Sequence, residues 1–116
     1  MAVTTTPGTA VSTAPPTVER AALFGLLADP LRLQIVELLA AEQQCTCHLI
    51  EHTGAKQTTV SHHLRILRDG GAVDTEQVGR FTWYRLRPQV LLVLADSLTG
   101  LATQAQHAGR NRFTCP

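Results

Sequence analysis

The stretch Gln57-Thr58-Thr59-Val60-Ser61-His62-His63-Leu64-Arg65-Ile66-Leu67-Arg68-Asp69 constrains this chain more than any other. On a helix, Val60, Leu64 and Leu67 share one face at i, i+4 and i+7, the spacing that buries a stripe against a core. Thr58, Ser61, His62 and Arg65 then point the other way. That outer face is polar and rich in hydrogen-bond donors, with no acidic residue before Asp69, so a phosphate-lined groove would not repel it. An ordinary amphipathic surface helix fits the same pattern, and the flanking residues decide between the two.

Cys47 to Thr53 reads as a short helix turning Leu49 and Ile50 inward, Gly54-Ala55 as a turn, and Lys56 to Asp69 as a second helix. This is helix-turn-helix spacing. Gly70-Gly71 closes the second helix with residues that tolerate a left-handed cap. Ala72 to Gln77 and Arg80 to Leu86 follow as two short strands joined around Val78-Gly79. Phe81, Thr82, Trp83 and Tyr84 favour extended backbone, and the glycine suits a tight hairpin. The fold class expected is mainly α (α+β): a winged helix-turn-helix with four helices, a β-hairpin wing and a C-terminal helix.

One domain is expected, over residues 17–107 of the 116. Residues 1–16 are dominated by Thr, Ala and Pro and carry no charged side chain, too little apolar surface to offset the entropy of ordering, so they read as a disordered tail. Residues 108–116 read as a C-terminal tail carrying Cys115. No Lys or Arg precedes Arg20 and no apolar segment stands near the start, which argues against a secretory signal. No apolar run approaches the length of a membrane span. A cytoplasmic protein without a membrane partner is expected, its three Cys kept as thiols.

The formal net charge of +1 conceals a segregation. Between Thr17 and Ala55, Arg20 and Arg32 face Glu19, Asp29, Glu37, Glu42 and Glu51. Between Lys56 and Arg87, by contrast, Lys56, Arg65, Arg68, Arg80, Arg85 and Arg87 face only Asp69, Asp74 and Glu76. Positive charge concentrated on one unit is the footprint of a surface that meets phosphate, although solvated surface also carries such runs. Double-stranded DNA is the expected partner. Thr58, Thr59, Ser61, His62 and Arg65 are assigned to the major groove, Lys56 and Gln57 to phosphate, and Arg80 at the hairpin tip to the minor groove or the backbone.

Ahead of this unit, Thr17 is expected to cap a helix from Val18 to about Leu27 that places Val18, Ala22, Gly25 and Leu26 along one side. Asp29-Pro30 is a strong helix start. The helix it opens runs from Leu31 to about Glu42, with Leu31, Ile35, Leu38 and Leu39 inward. Pro88 opens the last helix, reaching about Gln106, whose face of Val90, Leu91, Leu94, Leu98, Leu101 and Ala105 is long and apolar for so small a domain. A homodimer is therefore expected, with Val18, Ala22, Leu91, Leu94, Leu98 and Leu101 at its interface. Two identical heads would read a palindromic site.

Three blocks carry a resemblance. Leu27-Ala28-Asp29-Pro30-Leu31-Arg32-Leu33, Val60-Ser61-His62-His63-Leu64-Arg65-Ile66-Leu67 and Gly79-Arg80-Phe81-Thr82-Trp83-Tyr84-Arg85-Leu86 resemble the corresponding blocks of the ArsR/SmtB family of metal-sensing winged-helix repressors. The similarity runs from about Val18 to about Gln106, and three blocks in order are more specific than any one. The resemblance implies a dimer that represses its operon without effector and leaves DNA when a metal or metalloid binds. It implies no catalysis.

Cys45-Thr46-Cys47 is similar to the Cys-x-Cys box of the arsenic-sensing members, which implies As(III) or Sb(III) as the effector. Thiols at a helix start have lowered pKa values, because the dipole and free N–H groups favour the thiolate. In a regular helix, side chains at i and i+2 diverge by about 200°, so a shared ion is expected to distort the helix supporting the reading head. Some relatives supply a further Cys three residues after the second, and here that position is Ile50. Cys115 is the candidate replacement: nine residues at roughly 3.3 Å each reach about 30 Å from Gln106 at most, enough for either subunit's site. A small thiol or hydroxide would complete the set otherwise.

Competing readings differ in what they require. His48 and His52 read as surface residues, and His63 borders the buried stripe as a structural residue. Asp96 and His107 stand on the last helix, where zinc-sensing relatives place a site, but without the paired pattern of those relatives. Cadmium, lead or zinc would suit a repressor of the same family. A redox-switch repressor would use the same thiols through a strained i, i+2 disulfide. A thiol enzyme would need an anion-binding loop that is not visible, and a metallochaperone would have no need of the basic winged unit.

Overall fold

The computed structural model describes residues 15–114, so the expected tail, apart from Pro15 and Pro16, and Cys115 lie outside the described residues. The chain order is α1 (Thr17–Leu26), α2 (Pro30–Ala41), β1 (Gln44–Cys45), α3 (Thr46–Thr53), α4 (Gln57–Asp69), β2 (Val73–Val78), β3 (Phe81–Leu86) and α5 (Pro88–Ala108). This is the winged helix-turn-helix, with one strand more than expected.

Local chemistry sets most boundaries. Asp29 Oδ2 accepts the backbone N–H groups of Leu31 at 2.9 Å and Arg32 at 3.1 Å, and the ring of Pro30 presets the first helical φ of α2. α2 buries Ile35, Val36 and Leu39, with Leu31 and Leu38 half-buried beside them. Gly54 ends α3 in the left-handed region at φ 72°, and its N–H donates to the Ile50 carbonyl at 2.9 Å. α4 then buries Val60, Leu64 and Leu67. The hairpin turns through Gly79 and Arg80, since Val78 pairs with Phe81 and Gly79 takes φ 61°. The turn is thus one residue later than expected.

α1 departs from expectation. Its cap residue is Pro16, with no side-chain cap bond, while Thr17 lies inside the helix and its Oγ1 accepts from Arg20 Nη2 at 3.1 Å. Val18, Ala22 and Gly25 are exposed. The helix docks instead through its C-terminal half: Leu26 is buried, with Leu23 and Leu27 half-buried against the core. Leu26 sits so close to Gly70 that a Cβ there would lie 2.6 Å from it, which is why a glycine stands at that position.

β1 pairs antiparallel with β3, Gln44 opposite Tyr84 and Cys45 opposite Trp83, giving the sheet order β1-β3-β2. Gln44 is buried, its Nε2 donating to the Leu38 carbonyl at 3.0 Å while its Oε1 accepts from His52 Nδ1 at 3.0 Å. His52, exposed as expected of a surface residue, braces the strand through this bond. α5 extends two residues beyond the expected end, and Arg20 Nη1 donates to Ser97 Oγ at 3.2 Å to tie α1 to it. Along α5, Leu94 is buried within the chain at 3 % exposure, whereas Leu98 at 55 %, Leu101 at 59 % and Leu92 at 62 % stay open. Leu94 thus belongs to the chain's own interior, because α5 folds back on α1, and not to an open face. No helix of the described residues is long and apolar enough to cross a membrane.

Candidate nucleic-acid interface and thiol site

All eight side chains assigned to DNA are exposed: Lys56, Gln57, Thr58, Thr59, Ser61, His62, Arg65 and Arg80. Gln57, Thr58, Ser61, His62 and Arg65 line one shallow concavity of about 450 Å³. Their spacing explains it: at 3.6 residues per turn they fall within about 140° of arc, with Thr59 at the margin. Lys56, Arg65 and Arg80 enter no ion pair among the described residues, whereas Arg85 and Arg87 both reach Asp74 at 3.4 Å. With Arg68 3.7 Å from Asp69 on α4, three of the six cations counted on this unit are partnered, and the free charge lies on Lys56, Arg65 and Arg80 at the reading helix and the hairpin tip.

The reading helix is held from behind by a polar bridge. Arg32 Nε donates to the Leu26 carbonyl at 2.9 Å and Nη2 to the Gly25 carbonyl at 3.2 Å, while Nη1 lies 3.1 Å from His63 Nδ1. His63 Nε2 is 3.8 Å from Asp29 Oδ2. Backbone N–H donation from Arg32 outweighs burial and, with nearby positive charge, holds the Asp29 carboxyl below its ordinary range. One guanidinium thus joins the end of α1, the start of α2 and the middle of α4. His63 is structural, as its position beside the buried stripe implies.

Cys45 is buried and extended, with φ −87° and ψ 166°, and serves as the cap residue of α3, whereas Cys47 lies inside the helix and is exposed. Pairing of Cys45 with Trp83 fixes the first thiol, and the turn from strand into helix swings the second towards it. The sulfurs stand 3.1 Å apart. The 200° divergence expected for two helical positions does not arise, because only Cys47 is helical. Burial pushes the Cys45 thiol up, but the Cys47 S–H bond and the N–H groups of His48 and Cys47 outweigh it and leave Cys45 lowered. The same bond, together with burial and the charge of Cys45, raises Cys47. The pair is asymmetric, Cys45 ionising first with Cys47 as its donor.

His48 is the member that sequence reasoning missed. Its Nδ1 lies 3.4 Å from Cys45 Sγ and its ring meets Trp83 edge-on at 5.7 Å between centroids. Its position three after Cys45 is the one signal in the sequence. Among the described residues, no group of three or more His, Cys, Asp or Glu side chains is arranged to hold a metal ion. Asp96 and His107, both exposed, lie about 16 Å apart along α5 at roughly 1.5 Å per residue and do not meet within one chain.

Cys45, Cys47 and Ile50 line a cleft of about 410 Å³ whose other walls include Gln57, Ser61, Arg80 and Phe81. The thiols therefore open onto the space between the reading helix and the wing tip.

Residues 29–75 match the model of the arsR family of bacterial regulatory proteins. Over 88 residues the chain is 34 % identical to an arsenical resistance operon repressor of Staphylococcus aureus, covering 76 % of this chain and 85 % of that protein. The chain belongs to the ArsR family. A crystal structure described as a possible transcriptional regulator for arsenical resistance superposes with a TM-score of 0.64 at 34 % identity, over 69 % of this chain and 83 % of that one. The homodimeric winged helix-turn-helix DNA-binding domain of a possible ArsR-family regulator from Mycobacterium bovis does so with a TM-score of 0.62 at 26 % identity, over 84 % and 89 %. This ArsR-family chain is accordingly a DNA-binding transcription regulator and not an enzyme.

Proposed function

We propose that this ArsR-family regulator is an arsenic(III)- and antimony(III)-responsive repressor that holds operator DNA as a dimer without effector and releases it when its thiols take the metalloid. The observation that carries the reading is the 3.1 Å separation of Cys45 and Cys47. Two thiols that close can meet one thiophilic centre together without rearrangement of the backbone. The names of the Staphylococcus aureus relative and of the arsenical-resistance structure support the same effector.

Cys45 and Cys47 supply two ligands, and Cys115, from the same or the partner subunit, supplies the third. DNA is held by Lys56, Gln57, Thr58, Thr59, Ser61, His62, Arg65 and Arg80. Dimerisation uses the exposed Val18, Ala22, Leu98 and Leu101 with half-buried Leu91 at the edge, and the protein works in the cytoplasm. Release does not require unwinding of α3, since Cys45 precedes that helix. The metalloid instead occupies a cleft shared with Gln57, Ser61 and Arg80, and filling it resets the spacing between reading helix and wing. Thiol counting tests the ligand set: arsenite should protect all three thiols of the wild type, and a Cys115 that alone stays reactive would remove it from the set. Full reactivity of all three thiols in excess arsenite would refute it.

A further inference from the structure

Gln77 on β2 faces Thr82 on β3, one register position before the Val78–Phe81 pair that closes the hairpin. Its side-chain amide is engaged at both ends. Oε1 accepts the Thr82 Oγ1–H at 2.8 Å, and Nε2 donates to the Gly79 carbonyl at 3.3 Å. That carbonyl belongs to the planar peptide unit leading into Arg80, so the amide sets the plane from which the Arg80 side chain departs. The strands do not need these bonds, because the backbone register already runs unbroken from Val73 opposite Leu86 to Val78 opposite Phe81. What the amide adds is confined to the turn, where Gly79 takes φ 61° and imposes little restraint of its own. Arg80 is exposed, forms no ion pair among the described residues, and walls one cleft with Gln57 and Ser61 of the reading helix.

We propose that Gln77, held by Thr82, is a positioning residue for DNA binding: it fixes the Gly79–Arg80 peptide so that the Arg80 guanidinium is presented to DNA beside the reading helix before the two meet. The inference rests on the reading of Arg80 as a DNA contact and adds to it the residue that prepares that contact. A long side chain on a glycine turn gives up rotational freedom when it meets phosphate or a groove edge, and a tip already fixed in the free protein gives up less. The gain is therefore expressed as affinity, and only through Arg80. Gln77 is exposed on the edge strand β2 of the β1-β3-β2 sheet. Its replacement leaves no buried polar group unpaired, which separates an effect on DNA from an effect on folding.

The test is a double-mutant cycle on the full-length chain, with affinity for fluorescent DNA from its own promoter region measured for the wild type, Gln77→Ala, Arg80→Ala and the double variant. Gln77→Ala should weaken binding by about three- to ten-fold, the scale of immobilising one such side chain. In the Arg80→Ala background the same change should add nothing to the loss. Thr82→Val, which lacks the hydroxyl, should weaken binding in the same way, and Thr82→Ser, which keeps it, should match the wild type. Equal losses from Gln77→Ala in both backgrounds would make Gln77 a DNA contact in its own right and overturn the inference. A silent Gln77→Ala beside a weakened Arg80→Ala overturns it while leaving Arg80 at the DNA. Unchanged binding by Arg80→Ala overturns both readings.

Discussion

Arg32 on α2 and His63 on α4 meet at 3.1 Å between Nη1 and Nδ1, while the same guanidinium holds the Leu26 and Gly25 carbonyls at the end of α1. One planar fork serves three acceptors on two other elements, a geometry that a lysine ammonium on its flexible stem does not reproduce. Arg32→Lys should therefore loosen the seating of the reading helix. Loss of one or two such bonds, each worth about 1.5 kcal/mol, should lower the melting temperature by roughly 5–15 °C in a domain of this size. An unchanged melting temperature would show that the bridge contributes nothing to the fold.

Asp29 gives a pH dependence with a definite sign. Its folded carboxyl is held below the ordinary 3.8, first by the Arg32 backbone N–H. A lowered folded value means stabilisation that is present above the unfolded value and disappears as pH falls through the folded one. Asp29→Asn keeps a capping oxygen without the charge. It should melt below the wild type at pH 6 and converge with it on acidification below about 3.8. Thermal melts across that range check this; a difference that grows towards acid would reverse the assignment.

Arg65 and Arg80 are exposed cations without an ion-pair partner among the described residues. If both face phosphate or groove edges, Arg65→Ala and Arg80→Ala should each weaken operator binding. Removing a cation that meets phosphate alone should also flatten the dependence of log K on log salt by about one unit. Affinity measured over a range of salt concentrations separates the roles: an unchanged slope with relaxed sequence preference would mark a base contact. Unchanged binding in both variants would remove them from the interface.

Much of the fold is legible in the residues alone. The period of Val60, Leu64 and Leu67 places α4, and Asp29-Pro30 places α2, because both signals are local. β1 is not legible: two residues carry no period, and Gln44 and Cys45 become a strand only through their register with Tyr84 and Trp83. The thiol geometry follows from that strand, so a helical reading of Cys45 necessarily misplaces its sulfur. Leu94 and Leu98 belong to one stripe, and helical spacing names the face without saying which neighbour covers it. α5 spends Leu94 on its own chain and leaves Leu98 open.

That division predicts the dimer variants. Leu98→Asp and Leu101→Asp place charges on a surface already exposed in one chain at 55 % and 59 %. They should shift the protein towards monomer in sedimentation experiments while preserving its helical circular dichroism. Leu94→Ala should instead destabilise the chain by about 2–5 kcal/mol, as large-to-small changes in an interior do. A dimer undisturbed by both Asp substitutions would place the interface elsewhere.

The central claim is that Cys45 and Cys47 turn metalloid binding into loss of DNA. Fluorescence anisotropy of reduced protein on its own promoter DNA, titrated with arsenite, tests it most directly. Wild type should release the DNA, while Cys45→Ser and Cys47→Ser should bind it with wild-type affinity and hold it at every arsenite concentration. Release from either serine variant at the wild-type midpoint would contradict the account.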